Sequence, residues 1–177
     1  IDRSKTPEET TNPIVKFLKE KTVEGRLVSP QYLMDERALS AAGGLNYFFP
    51  SVYGIEWVQH HFCYYDIQSM DYAQDPRPPA DKDAYIKAMR DPVRYWQLTN
   101  TRYILGMSGF LDPLNLQLDK GRNRFRIVST FIIQPKPGVR PSMPADFATV
   151  IVTNGPLALF EFTGALPRTK LYSQWQV

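Results

Sequence analysis

The chain is short of the residues that carry most nucleophilic and metal chemistry. Cys63 is the one cysteine among 177 residues. A lone thiol excludes an intramolecular disulfide and any Cys-rich zinc module. It leaves the redox compartment open, because cysteine-poor chains occur in every compartment. Histidine is nearly as scarce, and its two copies are adjacent, His60 and His61. No apolar run approaches the roughly 18 residues that a membrane helix needs. No nucleophile elbow, phosphate loop or dinucleotide glycine pattern occurs, and Gly43-Gly44 is only a flexible pair. There are no internal repeats and no low-complexity tract. The chain opens on Ile1 rather than methionine, with no secretory leader, and is expected to be a piece of a longer protein.

What is present fits one folded domain over residues 1–177, with 1–12 as an N-terminal arm. Hydrophobic residues are 43% and charged residues 22%, which excludes a disordered or collagen-like chain. The net charge of +3 is too weak to imply nucleic acid. Its distribution is uneven. Residues 1–118 hold 13 basic and 15 acidic side chains, whereas residues 119–177 hold 8 basic and 3 acidic. The densest basic stretch, Lys120-Gly121-Arg122-Asn123-Arg124-Phe125-Arg126, reads as a turn entering a strand whose exposed face carries arginine. An anion contact is the competing reading.

Asn12-Pro13 marks a helix start, an Asn cap followed by proline at the first helical position. Thr6-Pro7-Glu8-Glu9 is a similar signal just before it. Ile14, Val15, Phe17 and Leu18 form the apolar stripe, and the helix should end near Gly25. Arg26-Leu27-Val28 reads as a short strand stopped by Pro30. Residues 31–55 resist assignment. Residues 56–65 suit a short helix, and Asp75-Pro76-Arg77-Pro78-Pro79 a rigid extended loop. A further helix over 82–97 is expected, capped by Asp81, with Tyr85, Ile86, Met89, Val93 and Trp96 as its apolar positions. Pro92 demands a kink or a restart within it. Residues 101–107 read as a buried strand, and 125–134 as a strand of continuous Ile, Val and Phe content. Residues 148–153 and 157–163 flank Asn154-Gly155-Pro156, which reads as a hairpin. Lys170 to Trp175 suits a last strand. Helices early and strands late predict an α+β fold, with N-terminal helices on a mainly antiparallel sheet formed largely by the C-terminal half.

Candidate chemistry is sparse. His60, His61 and Cys63 can each bind a borderline metal, but adjacent histidines project in different directions, so no metal site is expected. Cys63 lies in an aromatic stretch and reads as a core thiol rather than a nucleophile. Asp66, Asp71 and Asp75 form an acidic series beside Tyr64 and Tyr65. Paired carboxylates among aromatic rings suit glycoside hydrolysis. Asn100, Thr101 and Arg102 sit at a helix-to-strand junction and read as structural hydrogen-bonding residues. Leu166-Pro167-Arg168 reads as a strand-ending turn with an exposed arginine.

Three stretches carry a resemblance. They are Phe62-Cys63-Tyr64-Tyr65-Asp66-Ile67-Gln68-Ser69-Met70-Asp71 with Pro76-Arg77 following; residues 95–106, from Tyr95-Trp96 through Asn100 to Gly106; and residues 157–168, ending in Leu166-Pro167-Arg168. With the opening helix and Gly25-Arg26-Leu27-Val28, this order resembles the extracytoplasmic region of YfhO-type bacterial membrane proteins. The resemblance spans about residues 7–177. It implies a polytopic parent related to lipid-linked-sugar glycosyltransferases, whose catalytic acids sit in membrane-proximal loops near the N-terminus. No residue here matches that loop, so no catalytic residue is carried over.

The resemblance implies a non-catalytic accessory ectodomain of the bacterial cell envelope, periplasmic or at the cell surface. It would be tethered by membrane-spanning flanking segments and would bind or position a cell-surface glycan or lipid-linked sugar. No cofactor, metal or nucleic acid is expected. The candidate ligand-binding residues are Trp57, Tyr64, Tyr65, Asp66, Gln68, Asp71 and Arg77, aromatic rings for stacking and polar groups for sugar hydroxyls. The alternatives are a small secreted glycan hydrolase using Asp66 and Asp71, and a structural protein-interaction domain.

Overall fold

Asn12 starts the first helix as its sequence predicts. Its side-chain oxygen accepts from the amides of Ile14 at 3.0 Å and Val15 at 3.3 Å, and Pro13 occupies the first turn. The computed structural model describes residues 11–30, 33, 62–63, 65–70, 79–140, 142 and 146–169. Helix α1 is Pro13–Glu20, and it buries Ile14, Val15 and Leu18. It ends earlier than expected, and turns lead to Gly25, which packs against the Cβ of Arg102. Strand β1, Arg26–Val28, follows.

The second helical stretch is two helices, α2 (Ala80–Ala88) and α3 (Pro92–Leu98). Pro92 takes the first turn of α3, where its missing N–H costs nothing, and the Asp91 side chain caps that helix. Asp81 does not cap α2. It lies inside the first turn, and Pro79 holds the cap position. Nor do Tyr85 and Ile86 face a core: they are 43% and 42% exposed, while Val93 and Trp96 on α3 are buried.

Strand β2, Thr101–Met107, leaves α3 through Asn100, whose left-handed φ of 56° makes the turn. A 3-10 turn at Ser108–Phe110 and a π-helical turn at Pro113–Leu118 lead to β3, Phe125–Pro135. Strands β4, Phe147–Ile151, and β5, Leu157–Phe162, complete a sheet of order β1-β2-β5-β3-β4. The β1–β2 pair is parallel and the other pairs are antiparallel. The fold is α+β as expected.

The expected hairpin does not form. Strands β4 and β5 both pair with β3, on its two edges, and not with each other. The physical reason lies in Pro156. A two-residue Asn-Gly hairpin needs an N–H from the residue after the glycine, and proline has none. The link instead crosses β3. Val152 donates to the Thr130 carbonyl at 3.1 Å, and the Thr130 hydroxyl donates back to the Val152 carbonyl at 2.5 Å. Gly155 then lies on the Phe131 backbone, where a Cβ would fall 2.6 Å from its oxygen.

Strand β5 is buried along its whole length, because both its edges are paired and both its faces are covered. Leu157 and Leu159 join Ile14, Val15 and Leu18 of α1, together with Tyr103, Leu105 and Phe131. Ala158, Phe160 and Phe162 point the other way and join Val93, Trp96, Leu114 and Phe125. The Phe125 and Phe162 rings stack at 4.6 Å, and Trp96 meets Phe125 edge-on at 6.0 Å.

Candidate functional site

The Tyr65–Gln68 segment is where the sequence candidates and the sheet meet. Phe62 and Ile67 are its anchors, 1% and 3% exposed, in the core under α1. The Phe62 carbonyl accepts from both the Tyr65 and Ile67 amides, and the Cys63 carbonyl accepts from Asp66. This closes a tight turn with Asp66 at φ 59°, a left-handed conformation that Asp tolerates better than most residues. Tyr65 packs half-buried against the core, while Asp66 and Gln68 are exposed. Beyond the turn the chain runs beside β1. The Gln68 carbonyl accepts from Leu27 at 2.8 Å, Met70 donates to the Leu27 carbonyl at 2.7 Å, and Ser69 bridges Leu27 in parallel. An aromatic ring, a carboxylate and a carboxamide therefore leave one short segment at the β1 edge of the sheet.

Of the seven candidates, Tyr65, Asp66 and Gln68 are brought together here. Trp57, Tyr64, Asp71 and Arg77 lie outside the described residues, as do His60, His61 and Asp75, most of the expected helix over 56–65, and the expected strand after Lys170. Cys63 is exposed, not the core thiol that its aromatic neighbours suggest. The reason is the local turn: Phe62 takes the inward position, and the next residue faces out. Among the described residues, no group of three or more His, Cys, Asp or Glu side chains could hold a metal ion.

Sequence reasoning missed the tethers of this turn. The Thr22 hydroxyl donates to the Asp66 carbonyl at 2.6 Å. The Thr22 carbonyl in turn accepts from Arg168 Nη2 at 2.9 Å. Arg168 Nε also donates to Asn100 Oδ1 at 3.3 Å. Asn100 is the junction's centre, 5% exposed. Its Nδ2 donates to the carbonyls of Leu166 at 2.8 Å and Glu24 at 3.3 Å, and its own carbonyl accepts from Arg26 at 2.8 Å. The expected structural role of Asn100 is thus what the geometry shows. Arg168 does more than end a strand.

Among the described residues two carboxylates are buried, and both are held by arginine. Glu161, in β5, lies between Arg102 at 2.7 Å and Arg126 at 2.5 Å. Burial pushes its carboxyl up, but hydrogen bonds from Arg102 and Arg126 and their charges outweigh burial and hold it below the ordinary value. Asp119 accepts from the Arg124 guanidinium at 2.5 Å and from the Arg124 amide at 3.0 Å. Burial again opposes ionisation, and again the Arg124 hydrogen bonds and charge prevail, so the carboxyl sits low. Arg124 also lies over the Phe162 ring at 5.1 Å. The basic stretch is therefore the turn-into-strand expected. Lys120 and Asn123 take left-handed φ values of 54°, and two of its three arginines are spent on buried acids. A lone Glu inside the apolar run of β5 was the available sign that a cation must meet it.

No helix among the described residues is long and apolar enough to cross a membrane. Comparison with protein-family models, with curated proteins and with solved structures finds no match to this chain.

Proposed function

We propose that the chain is an accessory ectodomain of a bacterial envelope membrane protein, without catalysis of its own, which binds or positions a cell-surface glycan or lipid-linked sugar. The observation that carries this reading is the Tyr65–Gln68 turn. It presents a ring, a carboxylate and a carboxamide from one rigidly anchored segment at a sheet edge. Sugars are recognised by that combination, an aromatic face for the C–H surface and planar polar groups for the hydroxyls. The motif resemblance to YfhO-type ectodomains supports the same reading, and with it an extracytoplasmic location and a membrane-spanning parent. Trp57, Tyr64, Asp71 and Arg77, which lie outside the described residues, are proposed as further ligand contacts from the sequence alone.

The test is binding of soluble peptidoglycan fragments and of lipid-linked-sugar head groups, measured by calorimetry on the native chain and three variants. Tyr65→Ala and Asp66→Asn should each weaken binding by about tenfold, equivalent to ~1.4 kcal/mol. The double variant Asp71→Ala with Arg77→Ala should weaken it further. Native-level binding by all three variants contradicts the assignment of the surface. Turnover of the glycan that is lost in Asp66→Asn points instead to the hydrolase reading.

A further inference from the structure

The structure assigns Arg168 a positioning role: through Thr22 it holds the Asp66 turn in the conformation that presents Tyr65, Asp66 and Gln68. This role rests on the reading of that turn as the sugar-contacting segment. The turn is met from outside by Thr22 at Asp66 and by β1 at Gln68 and Met70. Its own amides close on Phe62 and Cys63. The left-handed backbone at Asp66 is a sparsely populated conformation, and a hydrogen bond from a neighbour helps to hold it. Thr22 is that neighbour, with its hydroxyl 2.6 Å from the Asp66 carbonyl. Thr22 itself sits in the turns just after α1, with its amide donating to the Lys19 carbonyl at 3.4 Å. Its carbonyl is gripped by Arg168, a charged donor, which makes the bond stronger than a neutral one.

Arg168 is fixed in turn. Leu166 donates to the Gln97 carbonyl at 3.0 Å and its own carbonyl accepts from Asn100, so the residues after β5 are strapped across the α3–β2 junction. Asn100 then offers Oδ1 to Arg168. The Leu166-Pro167-Arg168 motif and the Tyr65–Gln68 motif are about a hundred residues apart in sequence, and one threonine joins them. Any displacement of the strap moves Thr22, and with it the turn. Lysine at position 168 keeps the charge but cannot donate in two directions from a planar fork.

The test needs no sugar at its first stage. Amide hydrogen exchange is measured on the native chain, Thr22→Val, Thr22→Ser and Arg168→Gln. Valine matches threonine in shape and lacks the hydroxyl, and serine restores it. Exchange at Asp66 and Ile67 should quicken by about fivefold in Thr22→Val and Arg168→Gln, the effect of one net hydrogen bond. Thr22→Ser should match the native chain. The Leu105 and Leu159 amides, in the buried middle of the sheet, are the control for global loosening and should not change, and the Lys136 amide, just past the end of β3, reports fraying there. Unchanged exchange at Asp66 and Ile67, or an equal rise at Leu105 and Leu159, overturns the tether.

The second stage is binding of soluble peptidoglycan fragments to native chain and Arg168→Gln. A fivefold weaker affinity is expected, and equal affinity overturns the positioning role. Failure of the native chain to bind any fragment counts against the sugar reading alone, and the exchange data then judge the tether independently.

Discussion

Asp119 shows at the scale of one residue how this fold treats charge. Its side chain is fully buried and touches one cation, Arg124, which is itself only 22% exposed. Removing one partner of such a pair strands the other, so Asp119→Ala should cost about 3 kcal/mol in denaturant unfolding. Glu161 behaves differently, because Arg102 and Arg126 keep 36% and 67% exposure and can turn to water when it is lost. Glu161→Gln should therefore cost less, about 1.5 kcal/mol. Both carboxyls are held below their ordinary values of 3.8 and 4.5. A carboxyl depressed on folding contributes stability that is fully present above its unfolded pKa and lost as pH falls through the folded one. The melting temperature should thus owe nothing to titration of these two groups near neutral pH, and should fall on acidification below about pH 4.5. A double variant, Asp119→Asn with Glu161→Gln, should start lower and lose less over that acid range. A melting series from pH 7 to pH 2.5 on both chains is the check. An equally steep acid limb in the double variant would mean that other groups control it.

The elements divide into those legible in the sequence and those that only tertiary structure explains. Asn12 and Pro13 announced α1, because capping is local chemistry, and Pro92 announced the restart at α3, whereas its cap, Asp91, was missed in favour of Asp81. Asp91→Ala should cost about 1 kcal/mol for the lost cap. Helix α2 was misread in its packing. Tyr85 and Ile86 have helical spacing relative to Met89 and Val93, yet the chain turns at Arg90-Asp91, and of these two helices α3 is the one that buries side chains against the sheet. Ile86→Lys should accordingly stay within about 0.5 kcal/mol of the native stability, whereas Val93→Ala should cost about 2 kcal/mol. The hairpin was misread for a different reason. Asn154-Gly155 is a strong turn signal, but Pro156 withdraws the amide that such a hairpin needs. Gly155 is required by the crossing itself. Gly155→Ala should cost about 2–3 kcal/mol, since the obstacle is the Phe131 backbone and not a side chain that can swing away. At the candidate site, Tyr65, Asp66 and Gln68 were legible as residue types beside one another. Thr22 and Arg168 were not, because their link to the turn spans 44 and 146 residues of sequence and leaves no local pattern.

For the molecule as a whole, β5 is the common wall of two cores. Its alternate side chains enter the cluster under α1 and the cluster under α3, so neither can melt without exposing the strand. Unfolding followed by tyrosine and tryptophan fluorescence and by far-ultraviolet circular dichroism should coincide in one transition. The proposed ligand surface is the β1 side, where the Tyr65–Gln68 turn carries ring, acid and amide on one segment packed beside β1. The most direct test of that conclusion is a nuclear magnetic resonance titration of the isotope-labelled chain with soluble peptidoglycan fragments and lipid-linked-sugar head groups. Saturable amide shifts centred on Tyr65, Asp66, Ile67 and Gln68, with residues 120–126 unmoved, are the expected result. Shifts confined to another surface, or none at millimolar ligand, would contradict it.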